Sequence, residues 1–131
     1  MKDLICNDFQ KSVSELLIRH KSILDIMTKL EEAQVRVNRA VAKSVTTCGC
    51  IEVNASKQCI PHDATIEDLK YCMETHIEGV LCENCKDIIE KEMGNTLFYL
   101  TSLCNVLDIS LNDVLLKENE KINTLGIYNM F

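Results

Sequence analysis

The sequence has no tryptophan, one proline (Pro61) and only four glycines among 131 residues. That scarcity leaves the chain poor in turn chemistry and rich in helix formers. Aromatic residues are few, three Phe and three Tyr, and no stacked-aromatic pattern for nucleic-acid bases is present. Positive charge is also short: 14 Lys and Arg stand against 20 Asp and Glu, for a net charge of −6. No basic face is available to displace counterions from a nucleic-acid backbone, so an extended nucleic-acid surface is excluded. A compact polyphosphate stays compatible with an acidic chain when divalent ions mediate the contact. No apolar run approaches the roughly 20 residues needed to span a bilayer. The first residues lack the charged start, apolar run and small-residue cleavage site of a signal peptide. Neither a Gly-rich phosphate loop nor a Ser/His/Asp set is present.

What the chain does have is length and apolar content enough for one domain with a real core, 47 % apolar against 26 % charged. The expectation is a cytoplasmic protein without membrane association. In that compartment thiols stay reduced, so the eight cysteines are read as buried hydrophobes, metal ligands or redox groups rather than four disulfides.

The expected fold class is all-α, a helical bundle with an irregular, cysteine-containing middle segment. Residues 8–45 carry helical periodicity, with Leu16, Ile23, Met27, Leu30, Val37 and Val41 forming an apolar stripe. A break near His20 is expected, with Ser22 opening a new helix and Gly49 as its left-handed stop. Residues 50–63 read as loop. Thr65 and Asp68 form a variant capping box, opening a short helix through Leu69, Cys72 and Met73 to Gly79. A second long helix begins near Glu83, with Ile88, Ile89, Met93, Leu97, Leu100, Leu103 and Leu107 on its core side. Ser110 caps a final helix that stops at Gly126.

Two features carry candidate chemistry. Cys48 and Cys50 form a C-x-C pair, and Cys82 and Cys85 a C-x-x-C pair. Each pair lies at a helix boundary, and antiparallel packing of the two long helices would make the boundaries neighbours. Four thiolates would then close a structural Zn²⁺ site that clips the middle segment to the bundle. A low-pKa redox pair at Cys82 and Cys85 is the competing reading, with plain packing a third. Cys59 with His62, and Cys72 with His76, also have ligand-like spacing. Cys6 and Cys104 read as packing residues, and His20 as a surface or helix-break residue.

The second feature is a carboxylate, a glycine and an amide set into the apolar side of the second long helix. Glu92 and Asn95, three apart, project from one face with Ile88 and Tyr99. The local pattern of Glu92, Gly94 and Asn95 followed by Phe98, Tyr99 and Leu100 resembles the metal-binding helix of the MazG-like all-α nucleoside triphosphate pyrophosphohydrolases. In that superfamily one helix carries E-E-x-x-E and the next long helix E-x-x-D. Here the first motif falls on Glu31 and Glu32, with Val35 where a third carboxylate is expected, and Asn95 stands in place of Asp. Val35 cannot ligate a cation, and Asn95 offers oxygen without charge.

The resemblance is strongest over residues 83–125. It implies one MazG-like helical domain over residues 1–131, assembling as a dimer or larger homo-oligomer. It also implies Mg²⁺ held by Glu31, Glu32, Glu92 and Asn95, the four catalytic candidates, and hydrolysis of a nucleotide to monophosphate and pyrophosphate. Lys117, Asn119 and Lys121 resemble the family's phosphate- or base-contacting segment, and Tyr99 is the aromatic placed to stack on a base. The alternative is a non-catalytic, zinc-stabilised binding or regulatory protein of the same fold.

Overall fold

Helices form wherever the apolar period is near 3.6, and each ends at a residue suited to stopping it. In the computed structural model, which describes residues 2–17 and 19–126, five α-helices are joined by a two-stranded antiparallel sheet. Helix α1 is Lys2–Leu16 and α2 is Ile23–Lys43, separated by the expected break. Ser22 takes the extended N-cap conformation, although its side chain makes no capping hydrogen bond. One π-turn, Ser44–Cys48, closes α2, and Gly49 ends it at φ +79°, its N–H donating to the Ser44 carbonyl at 2.8 Å. Strand β1 (Ile51–Val53), the single-turn α3 (Leu69–Cys72) and strand β2 (Ile77–Gly79) form the middle.

Helix α4 spans Glu83–Val106 and α5 spans Leu111–Leu125. Ser110 caps α5 as expected, its hydroxyl oxygen accepting from the Asp113 N–H, and Gly126 returns an N–H to the Ile122 carbonyl. Gln10 ties α1 to the α4–α5 turn. Its amide donates to the Ile109 carbonyl at 2.7 Å and accepts from the Leu111 N–H at 2.9 Å. Among the described residues no helix is long and apolar enough to cross a membrane.

The middle segment corrects two expectations. Residues 50–63, read as loop, contain β1, which pairs Ile51 with Gly79, Glu52 with Glu78 and Val53 with Ile77. The helix opened by the capping box stops at Cys72 rather than reaching Gly79. The box itself forms: the Thr65 N–H donates to Asp68 Oδ2 at 3.1 Å and the Asp68 N–H to Thr65 Oγ1 at 3.3 Å. Beyond it the backbone is claimed by other partners. The Gln58 amide binds both the N–H and the carbonyl of Glu74, and β1 takes the groups of residues 77–79.

The packing stripes keep Val37 and Ile89 as expected, but are otherwise shifted from their expected positions. Helices α2 and α4 run antiparallel and form the main contact of the fold. Along α2 the buried line is Ile26, Ala33 and Val37, continued by Ser44 in the π-turn, while Ile23, Met27 and Val41 are exposed, as is Leu16 at the end of α1. On α4 the buried residues include Cys85, Ile89, Thr101, Ser102 and Cys104, while Ile88, Met93, Leu97, Leu100 and Leu107 are exposed. Small side chains at the contact let the two backbones approach closely, so the bulkier residues flank the seam instead of filling it.

Candidate metal centre

The cysteine pairs sit where α2 ends and α4 begins. The π-turn and Gly49 reverse the chain after Cys48, which directs Cys50 back toward α2; its thiol lies 3.8 Å from the Ser44 carbonyl. Ser44 is buried and donates its hydroxyl to the carbonyls of Ala40 and Val41. The β1–β2 pair then brings the second half of the site alongside the first. Ile51, next to Cys50, pairs with Gly79, three residues before Cys82. Gly79 is required at that point: it adopts φ +89°, and a Cβ there would stand 2.6 Å from the Cys50 carbonyl oxygen. Cys82 caps α4, its sulfur accepting from the Cys85 N–H at 3.4 Å.

The outcome is convergence. The Sγ atoms of Cys48, Cys50, Cys82 and Cys85 all lie within 4.8 Å of one another, with Cys48 and Cys82 at 3.8 Å. A tetrahedral ion with sulfur ligands at about 2.3 Å has sulfur–sulfur edges of about 3.8 Å. No disulfide links any of the eight cysteines. Cys85 is buried and Cys48 exposed, so the cluster opens to solvent on one side. The Cys85 N–H and thiol, both donating to Cys82, lower its pKa to about 7. The same hydrogen bond to Cys82, with burial, pushes the Cys85 thiol up to about 12. Cys82 is thus the sulfur whose thiolate its neighbours favour, an arrangement suited to receiving a soft divalent cation. Cys59, His62, Cys72 and His76 belong to no such cluster.

The carboxylate candidates are arranged differently. Among the described residues the four cysteines are the only group of three or more His, Cys, Asp or Glu side chains whose ligand atoms converge; Glu31, Glu32 and Glu92 do not form one. Glu31 is exposed. Glu32 is bound to Lys29 at 3.3 Å and Arg36 at 2.9 Å, and the Lys29 ammonium foremost holds its carboxyl below the usual range. Glu92 is half-buried on the inner side of α4, with Oε2 buried and lacking a hydrogen-bond partner.

Three expected residues do share a groove. Glu32, Asn95 and Tyr99 line a cavity of about 130 Å³ between α2 and α4, together with Lys29, Ala33 and Arg36. Lys29 also lies 5.7 Å from the Tyr99 ring centroid, a cation–π contact. Lys117, Asn119 and Lys121 are exposed on α5 and do not line this groove; Lys121 pairs with Glu118. The sequence reading missed Lys29 and Arg36, although their spacing of three and four from Glu32 signals side-chain pairs on a helix. It also missed Asp25, which pairs with the half-buried His20 beside the Tyr99 ring. No protein family, curated protein or solved structure matches the chain.

Proposed function

We propose that this chain is a zinc-stabilised helical protein of MazG-like type that serves as a non-catalytic binding or regulatory protein. The observation that carries this reading is the convergence of four cysteine sulfurs at the junction of α2 and α4. Four thiolates are a closed donor set for Zn²⁺, leaving no position for a reacting water, so the ion's role is structural. It would hold the end of α2, the start of α4 and the base of the middle segment together. The state of the carboxylates supports the non-catalytic part: Glu32 is neutralised by two cations, and Val35 and Asn95 have no charge to give a metal.

The test is elemental analysis of purified protein. One zinc per chain, lost in Cys82→Ser, is expected; metal-free wild-type protein with the same helical content would refute the assignment. A panel of nucleoside triphosphates with Mg²⁺ should release no pyrophosphate. The second reading, a Mg²⁺-dependent pyrophosphohydrolase, is favoured by Glu32, Asn95 and Tyr99 sharing one groove. Pyrophosphate release that disappears in Glu92→Gln would install that reading in place of the first.

A further inference from the structure

The four thiols of the metal centre are unequal in exposure. Cys85 is buried, Cys50 and Cys82 are half-buried, and Cys48 is exposed. Cys48 ends the π-turn, and Gly49 after it has open space where a Cβ would stand. The turn that carries Cys48 is therefore unpacked at that point and has room to shift. Cys48 and Cys85 also line a cavity of about 200 Å³ with Ala40, Lys43, Thr47 and Ile88. A small oxidant thus has access to Cys48 from solvent, while Cys85 is covered.

The sulfur nearest to hand for Cys48 is Cys82, at 3.8 Å. A disulfide between them has a bond of about 2.05 Å, so the two must close by about 1.8 Å. Joining them removes two of four zinc donors, and Cys50 with Cys85 alone makes an incomplete set. The two halves of the junction then fare differently. Cys48 ends the turn that follows α2 and Cys82 caps α4, so their bond keeps the helices tied. Cys50 leads into β1, and losing its metal unties the middle segment. That segment keeps the β1–β2 pairing and the Gln58–Glu74 hydrogen bonds, while residues 52–57 and 59–63 are exposed.

We infer that Cys48 and Cys82 form a hydroperoxide-operated switch: their oxidation to a disulfide expels zinc and loosens the middle segment while α2 and α4 stay joined. The inference rests on the structural-zinc reading and adds regulation to that site. The Cys48 thiolate attacks one oxygen of hydrogen peroxide, giving a sulfenic acid and hydroxide. The Cys82 thiolate then attacks the Cys48 sulfur, forming the S–S bond and expelling a second hydroxide. Two electrons pass from the sulfurs to the peroxide, and Zn²⁺ leaves with its charge unchanged.

The test titrates the zinc-loaded full chain with hydrogen peroxide. One zinc per chain should pass to a chromogenic chelator as two of the eight thiols are lost, with a Cys48–Cys82 disulfide in the peptide mass map. Trypsin should then cut at the exposed Lys57 or Lys70 at least about tenfold faster, with helical circular dichroism retained. Excess thiol with added zinc should reverse these changes. Cys59→Ser, at an exposed cysteine outside the cluster, should respond as the wild type does. Cys48→Ser should give up its zinc at least about tenfold more slowly. If Cys48→Ser takes up no zinc, the wild-type disulfide map decides alone. Zinc retained under peroxide, a disulfide at another pair, or unchanged tryptic cutting overturns the inference and leaves the zinc reading standing. Wild-type protein purified without zinc ends both.

Discussion

The junction and the middle of the α2–α4 pair handle polar groups in opposite ways. At the junction of α2 and α4, four thiols from separate stretches of chain converge on one another, and Lys43 lines the neighbouring cavity with Cys48 and Cys85. Farther along, around Ala33 and Asn95, every charge in the groove already has a partner: Glu32 bridges Lys29 and Arg36, and Lys29 leans on Tyr99. The first arrangement gathers soft ligand atoms around one point; the second pairs its charges within its own helix. Acidic residues at the right sequence spacing therefore do not make a metal site when basic residues one turn away reach them first.

The contrast is broken most directly at the cysteines. Cys82→Ser or strong chelation should remove the metal and lower Tm by about 10 °C or more, read by calorimetry with parallel zinc analysis. An unchanged Tm would mean that the thiols stabilise nothing. Acidification attacks the same end. Zinc binds thiolates, and with the Cys85 thiol at about 12 and Cys82 at about 7, binding must release protons at pH 7. Protons compete with the ion, so Kd should rise by at least about tenfold from pH 7 to pH 6 in competition titrations.

Gly79→Ala sharpens the comparison without touching a ligand. It sets a Cβ 2.6 Å from the Cys50 carbonyl oxygen at a positive φ, and should cost about 1–3 kcal/mol and weaken zinc binding together. Thr101→Val probes the packing of α4 beyond the groove. The Thr101 hydroxyl is fully buried without a hydrogen-bond partner, so the near-isosteric methyl should stabilise by about 1 kcal/mol in chemical denaturation. The smallest effect is expected in the groove. Glu32→Gln, at an exposed ion pair, should move Tm by no more than about 2 °C and leave zinc content unchanged.

Much of this molecule was legible because it is local. Ser22, Gly49, Ser110 and Gly126 mark their helix ends through backbone geometry that involves neighbours within five residues. The Thr65–Asp68 box formed for the same reason. The helix it opened was misjudged because Gln58 and β1, both distant in sequence, hold residues 74–79 in extended form. The stripe on α2 was right at Val37 but wrongly included Ile23, Met27 and Val41, for a related reason. Periodicity gives the spacing of a face, but Ala33 and Ser44 rather than Met27 define where α4 can approach.

By its own pattern the sequence determined that the chain is helical, where most helices end, and which cysteines form two ligand pairs. All of these depend on interactions a few residues long. Which pairs meet, which face is buried and which carboxylates stay free were decided only by the antiparallel docking of α2 on α4 and the pairing of β1 with β2. Those contacts join residues 24 or more positions apart, and there distance and competition from neighbouring charges, not spacing along the chain, determine what a side chain can bind.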